Sequence, residues 1–114
     1  MIETKNAVIK SVRLTTADYG CLSAWLELDY GNSGQGFGGY VLYLPHGAKH
    51  HRLEGTAGHF IYRCIEIGGV EKWEQLPGRT IRVRSEHDKV HAIGHIVKDD
   101  WFNPNADFSA LSKS

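Results

Sequence analysis

The sequence predicts an α+β fold, in which a mostly antiparallel sheet of about five strands is covered by one main amphipathic helix. Three observations support this class. Segments rich in β-branched and aromatic residues, bounded by turn formers, occur in both halves of the chain. One segment with apolar residues at helical spacing lies between them. No strand–helix–strand alternation with a phosphate-binding turn is present, so a doubly wound parallel sheet is not expected.

Three strands are predicted in the first half of the chain. Residues 7–14 are rich in β-branched side chains and end at turn formers. Residues 21–30 alternate apolar and polar side chains with a period of two, which is typical of a strand with one dry face. The sequence Gly-Asn-Ser-Gly at 31–34 then joins this strand to a third strand at 35–44 as a hairpin.

The third strand contains an unusual number of glycines, since residues 34–40 read GQGFGGY. Each glycine inside a strand costs about 0.5–1 kcal/mol relative to alanine. A bulge, close packing of another segment, or a ligand lying against the bare backbone would offset this cost, and we expect the bulge or close packing. The spacing matches GxGxxG, but no βαβ unit surrounds it, so a dinucleotide fingerprint is not predicted.

The main helix is predicted after a polar, histidine-bearing loop at 45–58. Thr56 is a suitable N-cap residue, and apolar residues recur at helical spacing after it. The helix is expected to run for about a dozen residues and to end at Gly68 and Gly69, which favour a left-handed stop.

Two further strands are predicted in the second half. A turn or short helical piece at 71–78 precedes strands at 80–84 and 89–97, which are joined through 85–88. The residues after Asn103 are mostly small and polar, and they are expected to fray. We therefore interpret residues 1–114 as a single domain, with a core at about 7–103 and a polar tail at about 104–114.

Composition excludes several classes of protein. The 114 residues contain 13 Lys+Arg and 13 Asp+Glu, so the clustered positive charge of a duplex nucleic-acid binder is not expected. The sequence has no apolar run long enough for a membrane span and no signal-peptide stretch near its start, which favours a soluble cytoplasmic protein without a membrane partner. Cys21 and Cys64 lie in apolar stretches, which predicts two buried, reduced thiols.

Neither a metal site nor a catalytic site is predicted. His87, His91 and His95 are spaced by four residues, but the apolar residues around them favour a strand, in which four residues span about 13 Å, too far for one tetrahedral ion. The sequence contains no GxSxG, HExxH or Walker motif. We therefore expect no bound metal, no cofactor and no enzymatic activity.

Two arginines and a tryptophan offer chemistry for an anionic ligand. Arg82 and Arg84 share one face of a predicted strand and are about 7 Å apart, which suits a pyrophosphate. They are equally explained as solvent-facing charges paired with Glu86 or Glu27. Trp101 follows the last predicted strand, where it could cap the core, stack on a base or anchor a subunit contact.

Four blocks of the sequence resemble a small family of phage and prophage proteins. The blocks are ADYGCL at 17–22, GQGFGGY at 34–40, GVEKWEQLPG at 69–78 and IGHIVKDDWF at 93–102. They occur in the family's order, and the resemblance covers most of positions 7–103. The family is the first family of Thoeris anti-defence proteins, which bind cyclic ADP-ribose isomers made by a bacterial TIR-domain enzyme.

The resemblance implies that the protein sequesters a signalling nucleotide in the host cytoplasm without cleaving it, so that the Thoeris effector is not activated. It also implies a homo-oligomer, a dimer or larger, with pockets near subunit boundaries. Some members bind cyclic oligonucleotides at a separate site. The resemblance implies Asn at the third position of the family's Ile-Gly-x-Ile block, whereas this chain has His95 there.

Such a ligand needs a plane for adenine, cations for pyrophosphate and polar groups for the riboses. The candidate ligand-binding residues are Phe37, Arg82, Arg84, His95, Lys98, Asp100 and Trp101. An alternative function is that of a phage protein-interaction module, which would inhibit a host complex such as a CRISPR effector through the same aromatic residues.

Overall fold

The computed structural model describes residues 2–18, 20–40, 42 and 54–112. Within these ranges, six strands form one antiparallel sheet, and two helices pack on it. The strands are β1 (Glu3–Asp18), β2 (Cys21–Asp29), β3 (Gly34–Gly38), β4 (Thr80–Glu86), β5 (Lys89–Gly94) and β6 (Trp101–Phe102), and the helices are α1 (Glu54–Gly68) and α2 (Pro104–Ser112). The α+β class is thus confirmed, with one strand more than expected.

Strand β1 is the centre of the sheet, whose order is β3-β2-β1-β4-β5-β6. It is 16 residues long, about twice the predicted length. Its first half pairs with β4, from Glu3 to Val8, and its second half pairs with β2, from Val8 to Asp18. The edge strands are β3, which pairs with β2, and β6, which pairs with β5. They are therefore the two most distant strands in the pairing order.

The sheet is nevertheless curled so that its two edges meet. Phe37 of β3 and Phe102 of β6 have ring centroids 6.1 Å apart, and both contact Phe60 of α1, at 5.6 and 5.5 Å. In a flat sheet, five strand spacings would separate these edges by about 24 Å. The sheet therefore forms a half-barrel, with α1 packed against its concave face.

A side chain also links the two sides of this half-barrel. Gln35 of β3 donates hydrogen bonds from Nε2 to the carbonyl oxygens of Glu86 (2.8 Å) and His87 (3.0 Å), in the turn between β4 and β5. The Tyr30 hydroxyl donates to the Oε1 atom of Gln35. We name the gap between β3 and the start of β5 the seam, and Gln35 holds one end of it.

The concave face carries the core, as period-two alternation predicts. Its fully buried side chains come from every strand and from α1; they include Ile9, Leu26, Phe37, Phe60, Ile81, Val83, Ile93 and Phe102. Cys64 of α1 is buried in the same core, and burial raises the pKa of its thiol. Cys21 is only half-buried, and neither cysteine forms a disulfide.

The start of the main helix was predicted wrongly. Helix α1 begins at Glu54, so Thr56 lies inside it rather than at its N-cap, and residues 54–58 are not loop. The Thr56 hydroxyl donates to the carbonyl oxygen of Leu42 instead (3.2 Å). The predicted end is confirmed, since Gly69 follows α1 with a φ of 69°. The remainder of the predicted loop, 45–53, lies outside the described residues, as do positions 41, 43 and 44 of the predicted third strand.

The C-terminal tail is also not a frayed segment, because residues 104–112 form α2. Asn103 caps this helix by accepting a hydrogen bond from the Ala106 amide at Oδ1 (3.2 Å), and Pro104 is buried at its first position. His59 Nε2 lies 2.7 Å from Asp107 Oδ2, and Phe108 meets Tyr40 edge-on at 5.8 Å. These contacts dock α2 on the domain.

The described helices include none that is long and apolar enough to cross a membrane. The short helical piece expected at 71–78 is present as a single 3-10 turn at Trp73–Gln75. Strand β5 ends at Gly94 rather than at Val97, and the connection between β4 and β5 is a tight turn of His87 and Asp88 instead of four residues.

Close packing explains the glycines of β3. The indole ring of Trp25, on neighbouring β2, covers the backbone of Gly36 and Gly39 on the convex face. A methyl group on Gly39 would lie 2.3 Å from a Trp25 ring carbon, and its φ is 75°, which only glycine adopts readily. The aromatic ring fills the space that side chains of β3 would occupy, which confirms the predicted close packing.

This packing predicts that Gly39→Ala lowers the free energy of unfolding by about 2 kcal/mol or more, because the new methyl group meets both a rigid ring and an unfavourable φ. Gly58→Ala is the matched control, since Gly58 is an exposed residue of α1 with no atom within 4 Å of an added methyl group. It should raise the stability by about 1 kcal/mol. Urea unfolding of both variants measures the difference, and equal stabilities would contradict the role of Trp25.

Candidate functional site

The convex face brings three of the predicted site residues together. Cross-strand pairing aligns Arg82 of β4 with Gly94 of β5, and Gly94 with Trp101 of β6. The guanidinium carbon of Arg84 lies 3.9 Å from the centroid of the Trp101 ring, and that of Arg82 lies 4.9 Å from it. The prediction that Arg82 and Arg84 share a strand face opposite Ile81 and Val83 is confirmed, since Ile81 and Val83 are fully buried.

Trp101 is enclosed between two groups. A methyl group built on Gly94 would lie 2.7 Å from two carbons of the indole ring, so one ring face rests on bare backbone. The guanidinium groups of Arg84 and Arg82 also lie over this ring, at 3.9 and 4.9 Å from its centroid, so arginine as well as backbone covers it. Trp101 therefore offers no free face to a nucleobase in this arrangement. The exposed guanidinium plane of Arg84 is the outermost layer of the stack.

Arg82 is mainly a structural residue. Its Nε atom donates to the carbonyl oxygen of His95 (2.8 Å), and its Nη2 atom donates to the carbonyl oxygen of Lys98 (2.7 Å). These bonds fix the loop between β5 and β6, and the amide of His95 closes the same loop by donating to Asp100 O (3.0 Å). Of the two arginines, Arg84 is therefore the one whose position suits a ligand.

His95 contributes both to the loop and to the surface. Its Nδ1 atom accepts hydrogen bonds from the amides of Val97 (3.1 Å) and Lys98 (3.0 Å). Because an accepting Nδ1 carries no proton, the neutral ring carries its proton on Nε2. His95 thus presents an N–H donor at Nε2, and Lys98 in the same loop is exposed.

Sequence reasoning missed Arg79 at this site. A methyl group built on Gly69 would lie 3.5 Å from a terminal nitrogen of Arg79 and 3.6 Å from Nε2 of His95, so both donors face the same point. Arg79 is held there because its Nε atom donates to the carbonyl oxygen of Gly68 (2.9 Å) at the end of α1. No sequence pattern indicated it, since Arg79 and His95 come together only when α1 packs on the sheet.

Asp100 forms an ion pair rather than an open polar contact. Its Oδ1 atom lies 2.8 Å from Nη2 of Arg63 in α1, and the same nitrogen donates to the carbonyl oxygen of Trp101 (2.9 Å). Arg63 also pairs with Glu66 (2.8 Å). The Arg63 guanidinium lowers the pKa of the Asp100 carboxyl, and the Asp100 carboxylate in turn raises the pKa of Arg63. The pair attaches the β5–β6 loop to α1.

The structure does not support Phe37 as a ligand contact. Its side chain is fully buried and stacks on Phe60, with an interplanar angle of 14°. The sequence placed Phe37 beside exposed backbone, but the curl of the sheet turns its ring into the core.

The three histidines at intervals of four are placed separately. His87 is in the β4–β5 turn, His91 is in β5 with Nε2 3.4 Å from Glu86 Oε2, and His95 begins the next loop. Over the described ranges, no three His, Cys, Asp or Glu side chains gather closely enough to hold a metal ion.

Arg84 is exposed, and it lines neither of two clefts on other parts of the fold. A cleft of about 580 Å³ borders the β2–β3 turn, between Lys10 and Ser33. A second cleft, of about 300 Å³, lies at the seam.

Comparisons with protein-family models, curated proteins and solved structures find no match to this chain.

The Arg63–Asp100 pair predicts a pH-dependent contribution to stability. Asp100→Asn should lower the free energy of unfolding by about 1 kcal/mol at neutral pH, because it removes the charge that Arg63 faces. A carboxyl with a lowered pKa stabilises the fold above its unfolded pKa, so the difference should shrink as the pH falls below that value and disappear once the pH has passed below the lowered pKa of the folded state.

The matched control for this prediction is Asp99→Asn, which removes the same charge one residue earlier and should change stability by less than about 0.5 kcal/mol. Urea unfolding at several pH values measures both variants. An Asp100→Asn effect that persists unchanged in acid would contradict the ion-pair assignment.

Proposed function

We propose that the protein is a phage anti-defence protein that binds a cyclic ADP-ribose-type signalling nucleotide and keeps it intact, so that the Thoeris effector is not activated. The observation that carries the proposal is the Arg84 guanidinium over the Trp101 ring, next to the β5–β6 loop that Arg82 holds and that contains His95 and Lys98. It supplies a plane for adenine and cations for pyrophosphate, which are two of the three features that such a ligand requires.

The adenine ring would stack on the outer face of the Arg84 guanidinium, since arginine planes are common platforms for bases. Trp101 fixes the orientation of that plane from below. The pyrophosphate would then accept hydrogen bonds from Arg79, from Nε2 of His95 and from the Lys98 ammonium. Sequestration requires no nucleophile or general base, and none of these residues is assigned either role.

Tight capture is energetically feasible for a ligand of this size. A nanomolar Kd corresponds to about −12 kcal/mol. A ligand of about 35 heavy atoms at roughly −0.3 kcal/mol per atom reaches about −11 kcal/mol when it is well enclosed. Since Arg84 is exposed, enclosure is best supplied by a second copy of the chain, in accord with the homo-oligomer that the resemblance implies.

Val97 supports a subunit contact at this position. It lies in the β5–β6 loop, between His95 and Lys98, and 81% of its side chain is exposed. An apolar side chain at the rim of a cationic patch suits the border of an interface that covers the patch.

The host cytoplasm, where the signalling nucleotide is made, is the proposed location of the complex.

The proposal predicts that Arg84→Gln weakens retention of cyclic ADP-ribose isomers by at least about tenfold, because it removes the stacking plane and one positive charge. Arg13→Gln is the matched control, because Arg13 also lies over a tryptophan. Its guanidinium is 5.8 Å from the ring of Trp25 on β2, away from the Trp101 stack. This control should bind as the native protein does. Isothermal titration calorimetry with each isomer measures both affinities.

The fate of the ligand separates the candidate functions. The native protein is mixed with the nucleotide, separated from unbound ligand and denatured by heat, and the released ligand is analysed by chromatography. Recovery of intact nucleotide supports sequestration. Recovery of a degraded product would identify an enzyme instead, and absence of any retained nucleotide would favour the protein-interaction module.

A further inference from the structure

The loop between β5 and β6 is held by two side chains as well as by its own backbone. Its first residue, His95, donates from the main-chain N–H to the carbonyl oxygen of Asp100 (3.0 Å). Lys98 is fixed through both of its backbone groups. Its N–H donates to Nδ1 of His95 (3.0 Å), and its carbonyl oxygen accepts from Nη2 of Arg82 (2.7 Å). His95 and Arg82 therefore set the position of Lys98 together.

Of these two side chains, only the imidazole changes its charge near neutral pH. Nδ1 of His95 accepts hydrogen bonds from the amides of Val97 (3.1 Å) and Lys98 (3.0 Å), so this atom carries no proton. An imidazole takes up a second proton between about pH 5 and pH 8, whereas a guanidinium stays charged. A proton on Nδ1 would turn the acceptor into a donor and set its N–H against the two amide N–H groups. Both hydrogen bonds would then be lost.

The charged groups around His95 do not compensate for this loss. They come from α1, from the residue before β4, from β4 and from the loop itself, and in chain order they are Arg63, Glu66, Arg79, Arg82, Lys98, Asp99 and Asp100. A terminal nitrogen of Arg79 and Nε2 of His95 lie 3.5 and 3.6 Å from the same methyl position built on Gly69, so a second positive charge there is opposed. The Asp100 carboxylate is already paired with Arg63 (2.8 Å).

We propose that His95 makes the β5–β6 loop a pH-sensitive switch, in which the neutral ring holds the amides of Val97 and Lys98 and the protonated ring releases them. The hold is complete above the pH range in which the imidazole titrates, and it is lost as the pH falls through that range. Released in acid, the loop frees Lys98 and the exposed Val97 from fixed positions next to the Trp101 stack. The switch goes beyond the proposed nucleotide capture, because it acts without any ligand.

Asparagine at position 95 separates holding the loop from titration. Oδ1 of asparagine has the same position relative to Cβ as Nδ1 of histidine, and it accepts hydrogen bonds from backbone amides two or three residues later. It takes up no proton between about pH 5 and pH 8. His95→Asn should therefore hold the loop over the whole range, whereas His95→Ala should leave both amides unbonded over the whole range.

The test is a pH series of ¹H–¹⁵N spectra and amide hydrogen exchange on the full chain without nucleotide. Protection of the Val97 and Lys98 amides, relative to their intrinsic exchange rates at each pH, should fall by about tenfold or more between pH 8 and pH 5. The fall should coincide with the titration of the His95 ring nitrogens, whose resonances are assigned by their loss in His95→Asn.

The variants give three different expected profiles. His95→Asn should keep both amides protected at both ends of the range, and His95→Ala should leave them unprotected at both ends. His87→Asn is the matched control, because it removes an exposed histidine from the β4–β5 turn, and it should follow the native profile. The amides of β1 report on global unfolding and should stay protected throughout.

Unchanged protection of Val97 and Lys98 in the native chain would overturn the proposal, as would ring resonances that place the proton of neutral His95 on Nδ1. A fall that persists in His95→Asn would also overturn it, because another group would then be titrating. So would a loss of protection that extends to β1, since the switch is confined to the loop. Because no nucleotide is present, failure of capture at Arg84 would leave these results unchanged, and the two proposals fail separately.

Discussion

The contact among Phe37, Phe60 and Phe102 is the constraint on which the rest of the molecule depends. It joins the two edge strands through a residue of α1, and all three rings are fully buried. Burying three such aromatic side chains contributes several kcal/mol, on the order of 2 kcal/mol each. This contact curls the sheet, and the curl defines a dry concave face and a wet convex face.

On the convex face, the same packing of tryptophan on glycine occurs near both edges of the sheet. Trp25 lies on the backbone of Gly36 and Gly39, and Trp101 lies on the backbone of Gly94. In each case the absence of a Cβ atom lets an indole ring reach the main chain of a neighbouring strand. An arginine then approaches the exposed side of the ring, Arg13 at 5.8 Å from Trp25 and Arg84 at 3.9 Å from Trp101. Glycine, tryptophan and arginine therefore form layers from the sheet to the solvent.

The two layered stacks differ in their surroundings. Around Trp101, the loop from His95 to Asp100 is fixed by Arg82 on one side and by Arg63 on the other. A loop held by main-chain hydrogen bonds keeps its donors in position without a ligand, which reduces the entropy lost on binding. Trp25 lines the cleft at the seam, and its indole N–H is buried without a hydrogen-bond partner.

The sequence by itself determined the α+β class, the alternation of β2, the shared face of Arg82 and Arg84, and the end of α1 at Gly69. These features depend on local periodicity and on the backbone preferences of single residues, which a sequence displays directly. Only the tertiary structure decided that Phe37 is core, that Asp100 pairs with Arg63, that Arg79 joins His95, and that α2 docks through His59 and Phe108. Each of these contacts joins segments far apart in the chain, and they form because the sheet curls around α1, which no local pattern specifies.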